Sequence, residues 1–170
     1  MASRGFLAAA IVPALLLAQA PAWAQSVRLL GDFNAWSAYA ASEGGGTICF
    51  ALTEPTETAP APEGAGQGYL YVTHRPAEGV RNEINLVAGF DLAPDSTATA
   101  SVGGANFTLF TQGDAAWLDD PGQSESLASA IRAGSTLTIE VTSAAGIRVT
   151  QRFSLSGATA ASQAIGNECG

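Results

Sequence analysis

Hydrophobic and polar residues alternate along much of the chain beyond its first 24 residues, and this pattern predicts β-strands. In the stretch NEINLVAGF, Ile84, Leu86 and Ala88 recur at every second position and therefore share one face of a strand. Further strands are predicted over residues 47–52 and 68–74 and in two hairpins at 97–110 and 135–153. Many short strands separated by turn residues predict a mainly β fold, an antiparallel β-sandwich with one or two short peripheral helices.

The hairpin at 97–110 turns at Gly103-Gly104. Glycine adopts the positive φ angles of a tight primed turn without steric cost. We therefore expect two antiparallel strands joined directly at this pair.

The second hairpin, at 135–153, has one apolar face on each strand. Because side chains alternate sides, the two apolar faces coincide only if the connecting loop has an odd number of residues. A three-residue loop at 144–146 pairs Val141 with Val149. A five-residue loop also matches the faces and pairs Glu140 with Arg148, so the sequence leaves both registers open.

Two short helices and one long loop complete the predicted elements. A helix is expected over 124–134, where Leu127, Ala130 and Ile131 form an apolar stripe. A second helix is expected over 156–166, beginning at a Ser156 N-cap and ending at Gly166. The stretch from 54 to 68 is rich in proline, alanine and glycine without periodicity, which predicts a mobile loop.

The first 24 residues have the pattern of a secretory signal peptide. Arg4 precedes the apolar stretch FLAAAIVPALLLAQA, and small residues at 22 and 24 predict cleavage after Ala24. The remaining chain, 25–170, is predicted to be one domain in the periplasm or secreted from the cell. It contains no apolar run long enough for an integral membrane segment.

The chain is acidic, with 15 Asp and Glu against 7 basic residues, all of them arginine, and a net charge of −8. Removal of Arg4 with the leader makes the net charge −9. An acidic surface repels phosphate backbones and anionic headgroups, so we expect no nucleic-acid partner and no attachment to an anionic membrane surface.

The chain has two cysteines, Cys49 and Cys169. In an exported chain, two cysteines predict one disulfide. This bond would close a loop of more than 100 residues and fasten the C-terminal end to an early strand, which stabilises the fold by restricting the unfolded chain.

A polar cluster surrounds the single histidine, His74. It comprises His74, Arg75, Arg81, Asn82 and Glu83, and the two arginines could hold an anionic group of a partner. The alternative is structural: these side chains close the corner between two strands by hydrogen bonds and ion pairs. The cluster is the candidate partner site of the sequence.

We predict no catalytic residues, no metal site and no cofactor. No Gly-x-Ser-x-Gly motif is present, and one histidine with two paired cysteines cannot supply a zinc site. Asp114, Asp119, Asp120 and Glu125 offer oxygen ligands, but their spacing is not that of a helix-loop-helix calcium motif, so a solvated acidic turn is expected.

Three large aromatic residues could lie either in the core or on a partner-binding surface. Trp36 and Trp117 are predicted to lie in the core, with Tyr39 close in sequence to the first. If such side chains are exposed together, they indicate a partner-binding patch.

Four blocks of the chain resemble the invasion associated locus B family of small exported proteins of Gram-negative bacteria. They are FNAWSAYAASEGGGTICFAL, YVTHRPAEGVRNEINLVAGF, LFTQGDAAWL and FSLSGATAASQAIGNEC. The resemblance runs from about Leu30 to Cys169 and implies a compact β-rich domain of the cell envelope. The family takes its name from erythrocyte invasion by one pathogenic lineage, and the resemblance assigns no catalytic residue to this chain.

The sequence therefore predicts a non-catalytic binding module, linked to host interaction, whose partner is an envelope or host protein that the sequence does not identify. The alternative is a structural or envelope-homeostasis protein without a dedicated ligand. A hydrolase built on His74 is the third hypothesis. The oligomeric state is not predicted.

Overall fold

The computed structural model describes residues 26–170. The predicted signal peptide, 1–24, and its cleavage site after Ala24 lie outside the described residues. In the part described, no helix is long and apolar enough to cross a membrane.

The described chain forms eleven strands and two α-helices. The strands are β1 (Ser26–Phe33), β2 (Trp36–Glu43), β3 (Gly46–Thr53), β4 (Pro55–Ala59), β5 (Tyr69–Arg75), β6 (Val80–Val87), β7 (Thr97–Val102), β8 (Ala105–Gln112), β9 (Ala115–Leu118), β10 (Thr136–Thr142) and β11 (Arg148–Ser154). The helices are α1 (Ser124–Ala133) and α2 (Ala158–Cys169). Short 3₁₀ turns occupy Pro76–Glu78 and Pro121–Gln123.

All strands belong to one antiparallel sheet in the order β1-β2-β3-β5-β6-β9-β8-β7-β10-β11-β4. The sheet curls until its distant parts meet. The indole N–H of Trp36, in β2, donates to the carbonyl of Ser154 at 3.0 Å, although β2 and β11 stand near opposite edges of the strand order. The Nε2 of the buried Gln151 donates to the carbonyl of Ala88 at 2.9 Å across the same interior. The predicted mainly β, sandwich-like fold is confirmed.

Both helices pack on the inner, concave face of this curled sheet. Helix α1 buries Leu127, Ala128 and Ile131, and α2 buries a stripe that ends at Ile165 and Cys169. The inner face of the sheet and these stripes form one hydrophobic core. The opposite face of the sheet, called the outer face below, is turned away from the helices.

The close approach of α2 depends on Gly157, which immediately precedes it. Its φ of +97° lies in the left-handed region, and a Cβ at this position would overlap the carbonyl oxygen of Phe33. Only glycine fits such a position without moving a neighbouring backbone. Gly157 is the N-cap, without a side-chain cap, so the predicted Ser156 N-cap is wrong.

The two predicted hairpins are confirmed. Strands β7 and β8 turn at Gly103 and Gly104, both with positive φ. In the second hairpin Val141 pairs with Val149, which is the register of the three-residue loop. The five-residue alternative, which pairs Glu140 with Arg148, is excluded because Thr142 faces Arg148.

Two element predictions are wrong, and three observed strands have no predicted counterpart. Residues 55–59, predicted as part of a loop, form the edge strand β4, because their backbone pairs with β11. Helix α2 continues through Gly166 to Cys169 rather than ending at the glycine. Strands β1, β2 and β9 have no counterpart among the predicted strands.

The predicted disulfide between Cys49 and Cys169 is present, with both sulfurs buried. Cys49 lies on the inner face of β3, and Cys169 is the last residue of α2. The bond therefore fastens the C-terminal helix to β3, the third strand from the β1 edge of the sheet.

Candidate functional site

The five residues of the predicted polar cluster lie at the corner between β5 and β6, but on two different faces. His74 pairs across the sheet with Cys49 and points to the inner face. Arg75, the next residue, points to the outer face together with Glu83. The structure joins His74 to Asn82 and Arg75 to Glu83, and it does not gather all five at one site.

His74 is buried, and its Nε2 lies 3.1 Å from the Oδ1 of Asn82. The Nδ2 of Asn82 donates to Glu125 at 2.6 Å, and Glu125 in turn accepts from Arg132 at 2.7 Å. Because Asn82 presents its oxygen to the ring, Nε2 carries the proton and Nδ1 is the bare nitrogen. Nδ1 has no hydrogen-bond partner within residues 26–170.

Burial lowers the pKa of His74 below its usual 6.5, and the hydrogen bond that the ring donates to Asn82 opposes this shift. The neutral ring and the chain of side chains leading to Arg132 connect β5, β6 and α1. This arrangement serves the structural role that the sequence offered as the alternative for His74.

Arg75 holds two carboxylates on the outer side of the corner. Its Nη2 lies 2.5 Å from Glu83 and its Nε lies 3.1 Å from Glu78. The hydrogen bond that Arg75 donates to Glu83 is the main reason that the pKa of Arg75 is raised. The guanidinium is therefore fixed in place and largely compensated in charge.

Arg81 stands apart from both pairs. It is exposed, forms no ion pair with an acidic side chain of the described residues, and lines a cleft of about 530 Å³ with Trp117 and Leu118. This cleft opens where β9 ends at Leu118 while β6 continues to Val80.

The outer face carries a group of half-exposed aromatic side chains that the sequence did not assign to a site. This group, called the aromatic face below, consists of Tyr39, Phe50, Tyr69, Tyr71, Phe110 and Trp117. Its members occupy β2, β3, β5, β8 and β9. The predicted core position is confirmed for Trp36, which is buried, but is wrong for Trp117, which lies half-buried on the aromatic face.

Pairs of these rings are in contact. The ring centroids of Tyr39 and Phe50 are 5.3 Å apart and stacked, and Phe50 contacts Tyr71 at 6.2 Å. At the other end, Phe110 and Trp117 stack at 5.8 Å. Within each pair, one ring restricts the rotamer of the other, so the rings form a preorganised surface.

A shallow depression of about 380 Å³ lies between the two groups of rings. Strand register places Tyr71, Asn85 and Trp117 in one row across β5, β6 and β9. The ion pair of Arg75 and Glu83 borders the same depression. Two aromatic side chains, one amide and one ion pair therefore face a common space.

A sequence signal for this face existed. Tyr69 and Tyr71 alternate with the buried Leu70 and Val72, which places two aromatic rings opposite the core. Two of the partner rings, Tyr39 and Trp117, come from strands that the sequence did not predict, β2 and β9, so their position on the same face as Tyr71 could not be inferred.

Metal ligands do not converge in the described part of the chain, where no group of three or more His, Cys, Asp and Glu could hold a metal ion. Two of the acidic side chains between 114 and 125 form hydrogen bonds with groups of the protein itself. Asp120 accepts the backbone N–H of Gly122 at 2.9 Å, and Glu125 binds Asn82 and Arg132.

Comparison with known proteins adds a family and a fold. A crystal structure of invasion associated protein B from Bartonella henselae is similar, with a TM-score of 0.58 over 81% of this chain and 96% of that chain, at 17% identity. At that identity the likeness is one of fold. No protein among the curated sequences matches this chain significantly. The family model described as Invasion associated locus B (IalB) protein matches residues 36–166, and the chain therefore belongs to the invasion associated locus B family.

Proposed function

We propose that this protein is an exported, non-catalytic binding module of the bacterial cell envelope, and that the aromatic face is its binding surface. The observation that carries the proposal is the position of six aromatic side chains on the solvent side of one sheet. Tyrosine and tryptophan that remain accessible together are typical of interaction sites, because they offer a large apolar area at low entropic cost.

Export is supported by two observations. The first 24 residues have the pattern of a signal peptide, and the fold contains a buried disulfide, which persists in oxidising compartments. The periplasm and the outside of the cell are both compatible with this chemistry.

The absence of catalysis is part of the proposal and rests on the state of the titratable groups. His74 is buried and bonded to Asn82, and Arg75 is held by Glu83 and Glu78. A general base must reach the substrate proton, and the described geometry directs His74 away from the open surface.

A structural role in the envelope, without a dedicated ligand, is the second candidate. The disulfide favours it, because a covalent link between α2 and β3 stabilises the folded state whether or not a ligand is bound.

The test is a paired pull-down from envelope extract and culture medium. The baits are the oxidised chain 25–170, its Tyr71→Ala/Trp117→Ala variant and an Ile147→Ala control. Ile147 is 40% exposed and lies in the β10–β11 turn, so its change removes exposed apolar surface at a site outside the aromatic face. Thermal unfolding of each bait verifies that it is folded.

We expect one macromolecule to be retained by the wild type and the control and to be lost with the double variant. Equal retention by all three baits would contradict a role of the aromatic face. Retention by none would favour the structural candidate.

A further inference from the structure

We propose that the depression between Tyr71 and Trp117 binds an uncharged sugar ring, as one unit of a neutral oligosaccharide. The inference rests on the proposed binding function and names the ligand class of the same surface.

The spacing of the row supports the inference. Tyr71, Asn85 and Trp117 stand on three consecutive strands, and each strand is about 4.8 Å from the next. The two aromatic positions are thus two strand intervals apart, on the order of 10 Å. The shorter Asn85 side chain between them forms the floor. A pyranose ring fits between two such walls.

The chemistry of the lining matches both kinds of surface that a sugar presents. The axial C–H groups of a pyranose are apolar and pack on an aromatic ring, as Tyr71 and Trp117 allow. Its hydroxyl edge needs donors and acceptors in fixed positions. The amide of Asn85 supplies both, and the ion pair of Arg75 and Glu83 borders the depression with more.

The lining is preorganised. Glu83 and Glu78 hold the guanidinium of Arg75, and Phe110 stacks on Trp117. The phenol of Tyr71 is protonated at neutral pH and can donate to a sugar oxygen; burial and the neighbouring Tyr69 raise its pKa further. Groups that are already fixed lose little freedom when a ligand binds.

Charge selects a neutral occupant. The positive charge of Arg75 is cancelled by Glu83, and the chain as a whole carries a net charge of −8. An acidic polysaccharide would be repelled by this field, and a second copy of the chain would bring an equal negative charge. A neutral sugar experiences no such electrostatic repulsion.

The surface beyond the depression accommodates more than one sugar. Phe50 contacts Tyr71, and the stacked pair of Tyr39 and Phe50 extends the rings toward β2. A chain of sugars that crosses the strands would meet an aromatic ring repeatedly along its length.

The experiment uses the oxidised chain 25–170 and two sets of oligosaccharide probes. The neutral set contains β-linked oligomers of N-acetylglucosamine, glucose and galactose, and α-linked mannose. The anionic set contains oligogalacturonate and heparin fragments. Binding is followed by calorimetry and by tryptophan fluorescence, with Trp117→Phe as the spectroscopic reference because Trp36 is buried in the core.

We expect at least one neutral probe to bind and to change the Trp117 fluorescence. Trp117→Ala and Asn85→Ala should each weaken that binding at least tenfold, and Ile147→Ala should leave it unchanged. The Asn85 variant keeps both aromatic walls, so its loss of binding reports the hydrogen bonds rather than apolar area.

Two results would overturn the inference. One is preference for the anionic probes; the other is no binding of any neutral probe. If no sugar binds but the pull-down yields a protein that is lost with Tyr71→Ala/Trp117→Ala, the ligand is a protein and the binding function stands. If neither sugar nor protein binds, the sugar inference and the binding function both fail.

Discussion

The two faces of β2 and β3 differ in a way that reverses the usual distribution of side-chain sizes. On the inner face, β2 and β3 present Ala38, Ala40 and Ala51, all buried. On the outer face the same two strands present Tyr39 and Phe50, which remain half-exposed. Apart from Trp36, which begins β2 and is buried, the aromatic side chains of these strands thus face away from the core.

Helix α2 explains the difference. It lies against the inner face of β2 and β3 and presents Ala158 and Ala161 to the core. A helix can approach a sheet closely only where side chains on both sides are small. Tyr39 and Phe50 are therefore not needed for the core in this region, and in the proposed function they belong to the binding surface. Substitutions should accordingly affect stability on one face and binding on the other.

The sharpest contrast is between two phenylalanines. Phe153 on β11 is fully buried, whereas Phe110 on the aromatic face is 41% exposed. We expect Phe153→Ala to lower the free energy of unfolding by about 3–5 kcal/mol because it leaves a cavity. Phe110→Ala should cost about 1 kcal/mol or less, the contribution of its stacking. Urea unfolding of the oxidised proteins measures both, and equal losses would contradict the distinction between the faces.

The disulfide should come next in size. The Cys49→Ala/Cys169→Ala double variant removes the link between β3 and α2, and we expect a loss of about 2–5 kcal/mol in the free energy of unfolding. Urea unfolding of the variant is compared with the wild type before and after reduction. An unchanged unfolding midpoint would show that the inner face holds α2 without the covalent link.

Two glycines near or within α2 test its close approach. Gly157→Ala forces a side chain to φ +97° against the Phe33 carbonyl, and should cost about 1–3 kcal/mol or more. Gly166→Ala meets no atom within 4 Å inside the helix and should stabilise by about 0.5–1 kcal/mol. Thermal unfolding distinguishes the two, and a tolerated Gly157→Ala would mean that α2 can move away from the sheet.

The smallest effect should come from pH and His74, the histidine of the inner face. Because burial lowers its pKa below 6.5, the unfolded chain binds the proton more readily than the folded chain. The contribution of His74 to stability is fully present above pH 6.5 and decreases as the pH falls through the folded pKa. Urea unfolding between pH 7.5 and 5.5 measures this slope, which should become flatter in His74→Gln. An identical slope in both proteins would assign the effect to other groups.

Local patterns predicted much of the fold. Alternation located β5, β6 and the hairpin of β10 and β11, because in each of these one side chain of every two is apolar and faces the core. An apolar run bounded by turn residues located β3, and the Gly103-Gly104 turn located the hairpin of β7 and β8. The strand β4 was missed because its sequence, PTETA, has no apolar alternation. It is held to β11 by backbone pairing and by polar side chains such as Thr56 and Glu57. The end of α2 was missed because packing and the disulfide carry the helix past Gly166.

Less of the candidate site than of the fold could be predicted from the sequence. The chemistry of the corner was recognised, but His74 and Arg75 are adjacent residues of one strand and therefore point to opposite faces. The aromatic face depends on the order β5-β6-β9, which brings Trp117 two strands from Tyr71. Strand order is a property of the whole chain, and no local pattern contains it.

The pairing of β4 with β11 has a consequence for the folding of the chain. Thr56 donates to the carbonyl of Arg152, a residue 96 positions later, and Trp36 donates to Ser154. Chains emerge from the ribosome with the N-terminus first, so the early strands exist before the partners that bury them. Contacts of such long range also slow folding. The sheet therefore cannot be completed until β11 has been synthesised, and the early strands β2 and β4 remain without these partners until then.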